Sequence, residues 1–291
     1  MSEVATASNK KLDVFVDSLV AGTNFSPTVI AERFSTFCGL LAPLEYNDIV
    51  DACYSLGVDE ITPGRLPDSL RGFNSDYANN IQIRLRSREW EGGISHTLLH
   101  ELFEIIINRF NKKISGHYNL TEYSANLFAA SLLMPEKTFL EFSLRANMDL
   151  QLIHEKYYQS YFSLLLRLHY LLRQRGIHYI GIMVENEAAK LNWRAMTSLN
   201  ELKNFKINKM TTDQTDYLHN YQSLVGWLNK CHDAIMAQEY ENKTTVYLED
   251  NNFIIKASPL LNPQNYTIRL IGIQIMTKAG YQKLVKEILR K

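Results

Sequence analysis

Ser95–Phe110 reads SHTLLHELFEIIINRF, and two histidines with two glutamates in so apolar a run pose the question for the whole chain. His96, His100 and Glu104 recur every four residues, so on an α-helix they share one stripe with steps of about 40°. Glu101 falls about 100° from His100, on an adjoining face. Leu98, Leu99, Leu102, Phe103, Ile105, Ile106, Ile107 and Phe110 occupy most of the remaining circumference. A helix this apolar all round is expected to be buried, and ionisable groups on it need partners or a metal.

The spacing has a chemical meaning. A metallohydrolase needs three protein ligands, an open position for water and a base to take that water's proton. His100 and a residue four positions on can grip one ion from adjacent turns, with the intervening glutamate beside it; that is the logic of H-E-x-x-H. Here the string is His100-Glu101-Leu102-Phe103-Glu104, so a carboxylate stands where the second imidazole is expected. Zinc accepts a carboxylate oxygen at about the same distance, roughly 2.0–2.2 Å, as an imidazole nitrogen.

A second apolar helix follows, beginning near Asn119 or Thr121 and ending before Pro135. Its residues Glu122–Pro135 read EYSANLFAASLLMP. HTLLHEL followed by this string resembles the ImmA/IrrE family of metallopeptidases, in which an H-E-x-x-H helix precedes E-x-x-A-N-x-F-A-A-x-L-L-M-P. The second motif is matched in full and the first departs at Glu104. Leu70-Arg71-Gly72, the strand around Ile81-Gln82-Ile83 and the later YYQSYFSLLLRL are also similar, so the resemblance spans roughly residues 55–175.

The resemblance implies His100 as a metal ligand, Glu122 as the third ligand and Glu101 as the general base, with Glu104 in the second-histidine position. It implies zinc. Two carboxylates and one imidazole neutralise a divalent ion, and this harder set suits manganese or iron relatively better; a degenerate site would hold no metal. His96, one turn before His100, is a possible additional ligand, and His117 is a further candidate. The residues also admit plainer readings. Glu101 and Glu104 read equally as ion-pair partners of Arg84, Arg86 or Arg109, Glu122 as part of a capping box from Asn119, and His96 as a core histidine.

The resemblance implies a metalloendopeptidase, if active, acting on a protein partner. The family's better-known members cleave a transcriptional repressor on a stress or mobile-element signal. A helix-turn-helix repressor is therefore the expected substrate, and stress response and transcription regulation the expected setting. The alternative is an inactive relative serving as a protein- or ligand-binding regulatory module.

Bulk properties are ordinary. The chain has 291 residues, 46% hydrophobic and 21% charged, with formal net charge zero, which offers no basic field for nucleic acid. The helical stretch 136–175 admits a helix-turn-helix reading, but that neutrality favours a packing role, and direct nucleic-acid binding is not expected. Cys38, Cys53 and Cys231 lack metal-ligand spacing and read as reduced structural thiols. No secretory core and no membrane span are found, so a cytoplasmic protein is expected.

The fold class expected is α+β: a mostly helical zincin-like core with a small sheet, then a smaller α+β domain. Residues 1–10 are expected to be disordered, 11–175 to form the peptidase-like domain with trailing helices, and 176–291 the C-terminal domain. Helices are expected over 26–42 (Ser26 capping, Pro27 in the first turn) and 45–57, and IQIRL alternates as a half-buried strand. After Gly176 come strands at IHYIGIMVE, AAKLNWRAM, TTVYLED, NFIIKAS and YTIRLIGIQI, a long helix over 212–240 and a closing helix from Lys278. By analogy the last domain is a GAF-like sensory module; its competing role is stabilisation or oligomerisation.

Overall fold

The computed structural model describes residues 2–22, 25–77, 80–87, 90–114, 117–187, 190–195, 230–231, 233–238, 245–249, 253–261 and 268–289. Its contacts divide the chain into Met1–Thr138 and Phe139–Lys291, ahead of the composition shift at Gly176. The fold is α+β, with short sheets among helices.

In the first unit, α1 (Ser2–Val20) extends into the first ten residues, where the sequence predicts disorder. Its Leu12, Phe15, Val16 and Leu19 follow a helical i, i+3, i+4, i+7 stripe and are buried. Helix α2 (Pro27–Cys38) starts where Ser26 and Pro27 predict, the Ser26 hydroxyl accepting from the Val29 N–H. It stops four residues before the expected end, because Gly39 turns left-handed at φ 68° and closes the helix on Ser35 and Thr36. Helix α3 (Tyr46–Leu56) ends likewise at Gly57.

Strands β1 (Glu60–Gly64), β2 (Gly72–Tyr77) and β3 (Asn80–Arg86) form a sheet in the order β1-β3-β2. β1 is parallel and β2 antiparallel to β3. The alternation of IQIRL holds: Ile81, Ile83 and Leu85 are buried. Helix α4 (Glu91–Lys113) carries the opening stretch and buries the leucines, isoleucines and phenylalanines between Leu98 and Phe110. Helix α5 (Glu122–Leu133) is joined to it by Phe103 stacked on Phe128, ring centroids 4.7 Å apart, and Phe34 of α2 meets Phe128 edge-on at 5.8 Å. Such pairs add about 0.5–1.5 kcal/mol beyond their area, and they hold α4 and α5 against each other.

α6 (Glu136–Arg145) crosses the division between units. In the second unit, α7 (Leu150–Tyr157) and α8 (Tyr161–Gln174) precede a five-stranded antiparallel sheet. Its strands are β4 (Tyr179–Glu187), β5 (Lys190–Ala195), β6 (Val246–Glu249), β7 (Phe253–Leu261) and β8 (Ile268–Thr277), in the order β5-β4-β8-β7-β6. All five fall where the sequence predicts strands, as does α9 (Lys278–Leu289). One face packs Ile180, Ile182, Ile255, Ile273 and Ile275 with Cys231 and Ile235. On the other, Gly272 lets the sheet approach the helices, since a Cβ there would stand 2.4 Å from Leu150 Cδ1 and 2.8 Å from Tyr161 Cδ2. Of the helix predicted over 212–240, residues 230–231 and 233–236 are helical, and 212–229, 232 and 239–240 lie outside the described residues.

The three cysteines are unpaired in disulfides, and burial pushes the Cys231 thiol up to about 12 and Cys38 to about 11, as inert structural thiols require. Among the described residues no helix is long and apolar enough to cross a membrane.

Candidate metal centre

Helix α4 presents His100 and Glu104 on successive turns, and α5 presents Glu122 as its first residue. The α5 start is set locally: the Thr121 hydroxyl accepts from the Ser124 N–H at 3.1 Å, while the Ser124 hydroxyl accepts from the Thr121 N–H at 3.0 Å. The helix thus starts at Thr121, one of the two starts the sequence offers, and the alternative capping box from Asn119 to Glu122 is not formed. Glu122 is thereby released from capping work and left 83% exposed.

One ligand atom from each of His100, Glu104 and Glu122 lies within 4.8 Å of the others, the one such group of three among the described residues. His100 Nε2 is 3.5 Å from Glu104 Oε1 and 3.6 Å from Glu122 Oε2. These separations exceed the usual hydrogen-bond length. They match the edge of a zinc tetrahedron, about 3.4 Å for bonds near 2.1 Å. One imidazole nitrogen with a carboxylate oxygen at that spacing from each of two glutamates, all three atoms within 4.8 Å of one another, fits a divalent cation in chemistry. The site is graded in depth, with the His100 side chain 13% exposed and Glu104 28%, so its open side lies toward Glu122.

The surrounding groups set tautomer and charge. Asn126 Oδ1 lies 3.3 Å from His100 Nδ1. An amide oxygen only accepts, so Nδ1 carries the proton and Nε2 keeps its lone pair for a ligand. Burial opposes a charged His100 ring, yet the adjacent Glu104, then Glu122, Asn126 and Glu101, together hold its pKa above the ordinary value. His100 beside Glu104 lowers the Glu104 pKa, burial opposes that, and Asn74 lowers it further. Glu101 moves the other way: burial raises its pKa, Glu104 and Glu122 add to the rise, and Asn74 and His100 only partly offset it. A carboxylate whose pKa is raised in this way accepts a proton more readily than an ordinary glutamate, as a general base must.

His96 lies outside the three-residue group. Burial, then the positive charges of His100 and Arg71, depress its pKa to about 4, so it is a neutral ring one turn behind the cluster. His117 is exposed in the loop before α5 and is not in the group either. The arginines named as ion-pair partners have other work. Arg109 forms a bidentate pair with Asp76 at 2.8 and 2.9 Å and reaches Asp13 at 3.2 Å. Arg86 donates to the carbonyls of Pro67, Asp68 and Leu70, and Arg84 lies 5.8 Å over the Phe73 ring.

Sequence reasoning missed Asn74 and the role of Gly72. Asn74 Nδ2 donates to Glu101 Oε2 at 2.7 Å and to Glu104 Oε2 at 2.9 Å. A Cβ at Gly72 would stand 2.7 Å from Thr97 Cγ2 and 3.1 Å from Glu101 Cγ, so only glycine lets β2 lie this close to α4. The available signal was the alternation in GFNSDY, which puts Gly72, Asn74 and Asp76 on one face of a strand.

Residues 69–169 match the family model of the IrrE N-terminal-like domain, Peptidase_M78. A solved structure of a Mycobacterium tuberculosis transcriptional regulator is similar in fold, with TM-score 0.51 and 15% identity over 96% of this chain and 83% of that one. No curated protein matches the chain.

Proposed function

We propose that this chain, whose residues 69–169 match the family model of the IrrE N-terminal-like domain, is a metal-dependent endopeptidase that acts on a protein partner as a regulator. The observation that carries the reading is the convergence of His100, Glu104 and Glu122 from two helices at metal-ligand spacing, with Glu101 beside them. His100 Nε2, Glu104 Oε1 and Glu122 Oε2 are the proposed ligands. Zinc is the proposed ion, with manganese or iron relatively better suited than in a two-imidazole set. When bound, the cation supplies a Lewis acid for the scissile carbonyl and acidifies a water. Glu101 would accept a proton from water and pass it to the leaving amine. Asn126 keeps His100 in the ligating tautomer. His96 serves as a neutral neighbour packed behind His100.

The proposed substrate is a helix-turn-helix transcriptional repressor, and the proposed setting is cytoplasmic control of transcription under stress. Family resemblance and the regulator-like fold support this choice. The C-terminal region from residue 176 is proposed as the sensory part, on the size and class of its sheet. A second reading rests on one specific residue: Glu104 makes the ligand set neutral toward a divalent ion, which weakens water activation and favours a relative that binds its partner without cutting it.

Cleavage separates the two. Purified chain loaded with zinc and incubated with a candidate repressor should yield two fragments, and Glu101→Gln should abolish them while retaining the metal. Undiminished cleavage by Glu101→Gln removes Glu101 from the mechanism. Metal retention with no cleavage by the natural chain selects the second reading.

A further inference from the structure

The Asn74 side chain hydrogen-bonds both the proposed base and a proposed ligand. A carboxamide nitrogen carries two N–H donors, and here both are used, one on each carboxylate. The orientation of the amide follows from chemistry, because ionised carboxylates accept only. Glu104 is divided by this contact. Its Oε2 belongs to Asn74 at 2.9 Å, and its Oε1 faces His100 Nε2 at 3.5 Å.

The position of Asn74 is held on both sides. Gly72, Asn74 and Asp76 face α4 in turn, meeting Thr97 and Glu101, then Glu101 and Glu104, then Arg109. From Gly72 to Asp76 the strand rises about 13 Å and from Glu101 to Arg109 the helix rises about 12 Å, so strand and helix stay in step over the length of this seam. The missing Cβ at Gly72 permits the approach, and the bidentate Asp76–Arg109 pair locks its far end.

We infer that Asn74 is a positioning residue that makes Glu104 a one-oxygen ligand, so that a carboxylate can stand where a two-histidine helix has an imidazole. The inference rests on the proposed metal site. An imidazole offers one nitrogen to an ion, whereas a free carboxylate can offer both oxygens and raise the coordination number. By occupying Oε2, Asn74 keeps the ligand count at three and preserves room for water and substrate. Releasing Oε2 favours ions that accept more oxygen ligands over zinc, which prefers four in total.

Selectivity between two metals tests this apart from folding. Zn²⁺ and Mn²⁺ affinities are measured by chelator competition on the metal-free full chain, for the natural protein, Asn74→Ala, Glu104→His and the double variant. Asn74→Thr, with higher strand propensity, is the second probe if Asn74→Ala melts early. Asn74→Ala should weaken Zn²⁺ by about tenfold or more and change Mn²⁺ by less than about threefold, because the freed oxygen compensates only for the oxygen-loving ion. In the Glu104→His background, which has no second oxygen, the two metals should shift in parallel. Equal weakening of both metals in the natural background, or no change in either, overturns the inference and leaves the metal site standing. Failure of the natural chain to bind either ion overturns both.

Discussion

In the sheet of the second unit Lys256, Gln274 and Ser258 are buried as deeply as any leucine, and the structure closes each on a partner. Lys256 Nζ donates to the backbone and side-chain oxygens of Asn147 and lies 5.3 and 5.4 Å over the rings of Tyr247 and Tyr281. Gln274 donates to the Met148 carbonyl and accepts from Tyr179, and the Ser258 hydroxyl accepts from the Leu150 N–H. Along α4 of the first unit the polar groups are arranged differently. Three carboxylates gather round one imidazole, Glu101 and Glu104 share a single amide, and the cluster opens outward at Glu122. Polar groups that end on backbone atoms hold architecture together. A surplus of acceptors at ligand spacing, open on one side, is the arrangement a cation would complete.

The largest expected effect comes from the lock of that open cluster. Arg109→Ala leaves Asp76 partly buried without its bidentate partner, a loss of about 3–5 kcal/mol, read as a lower urea midpoint. If the seam positions the cluster, zinc affinity falls with it. Next is the metal's own contribution. Zinc at a hundred times its Kd should stabilise the natural chain by about 2.7 kcal/mol, seen as a raised Tm, and Glu122→Ala should abolish the shift. A Tm that zinc raises equally in both proteins breaks the contrast.

A pair of glycine variants sharpens it. Gly72→Ala and Gly272→Ala both force a methyl into a close contact, and each should cost about 1–3 kcal/mol. Only Gly72→Ala should also weaken zinc binding, because only β2 carries Asn74 to the cluster. The smallest effect is a slope. Hydrogen bonding to Arg109 holds the Asp76 carboxyl below its usual range against the opposing effect of burial. A carboxylate depressed in the folded state contributes stability that is fully present above its unfolded pKa, about 3.9, and is lost as pH falls through the folded value. Urea midpoints should therefore decline below about pH 4, and Asp76→Asn should flatten that decline.

These contrasts divide by how far apart in the chain the interacting residues lie. His100, Glu104 and Glu122 were legible because the first two sit on one helix at a four-residue interval and the third opens a long family-like motif. The C-terminal strands were legible from their apolar runs and turn residues. Asn74 was not, because its partners lie 27 and 30 residues on and nothing in GFNSDY states which helix the strand will meet. The start of α5 was narrowed to Asn119 or Thr121, and the reciprocal bonds of Thr121 with Ser124 decide it. The end of α2 was missed because Leu40 and Leu41 continue the apolar pattern past Gly39, whose left-handed turn ends the helix all the same.

Anomalous diffraction from crystals of the full chain grown with zinc would locate the ion. The account predicts one peak per chain, about 2.0–2.2 Å from His100 Nε2, Glu104 Oε1 and a Glu122 oxygen, with Asn74 still bonded to Glu104 Oε2. No peak between α4 and α5, or a peak whose ligands exclude Glu122, would contradict it.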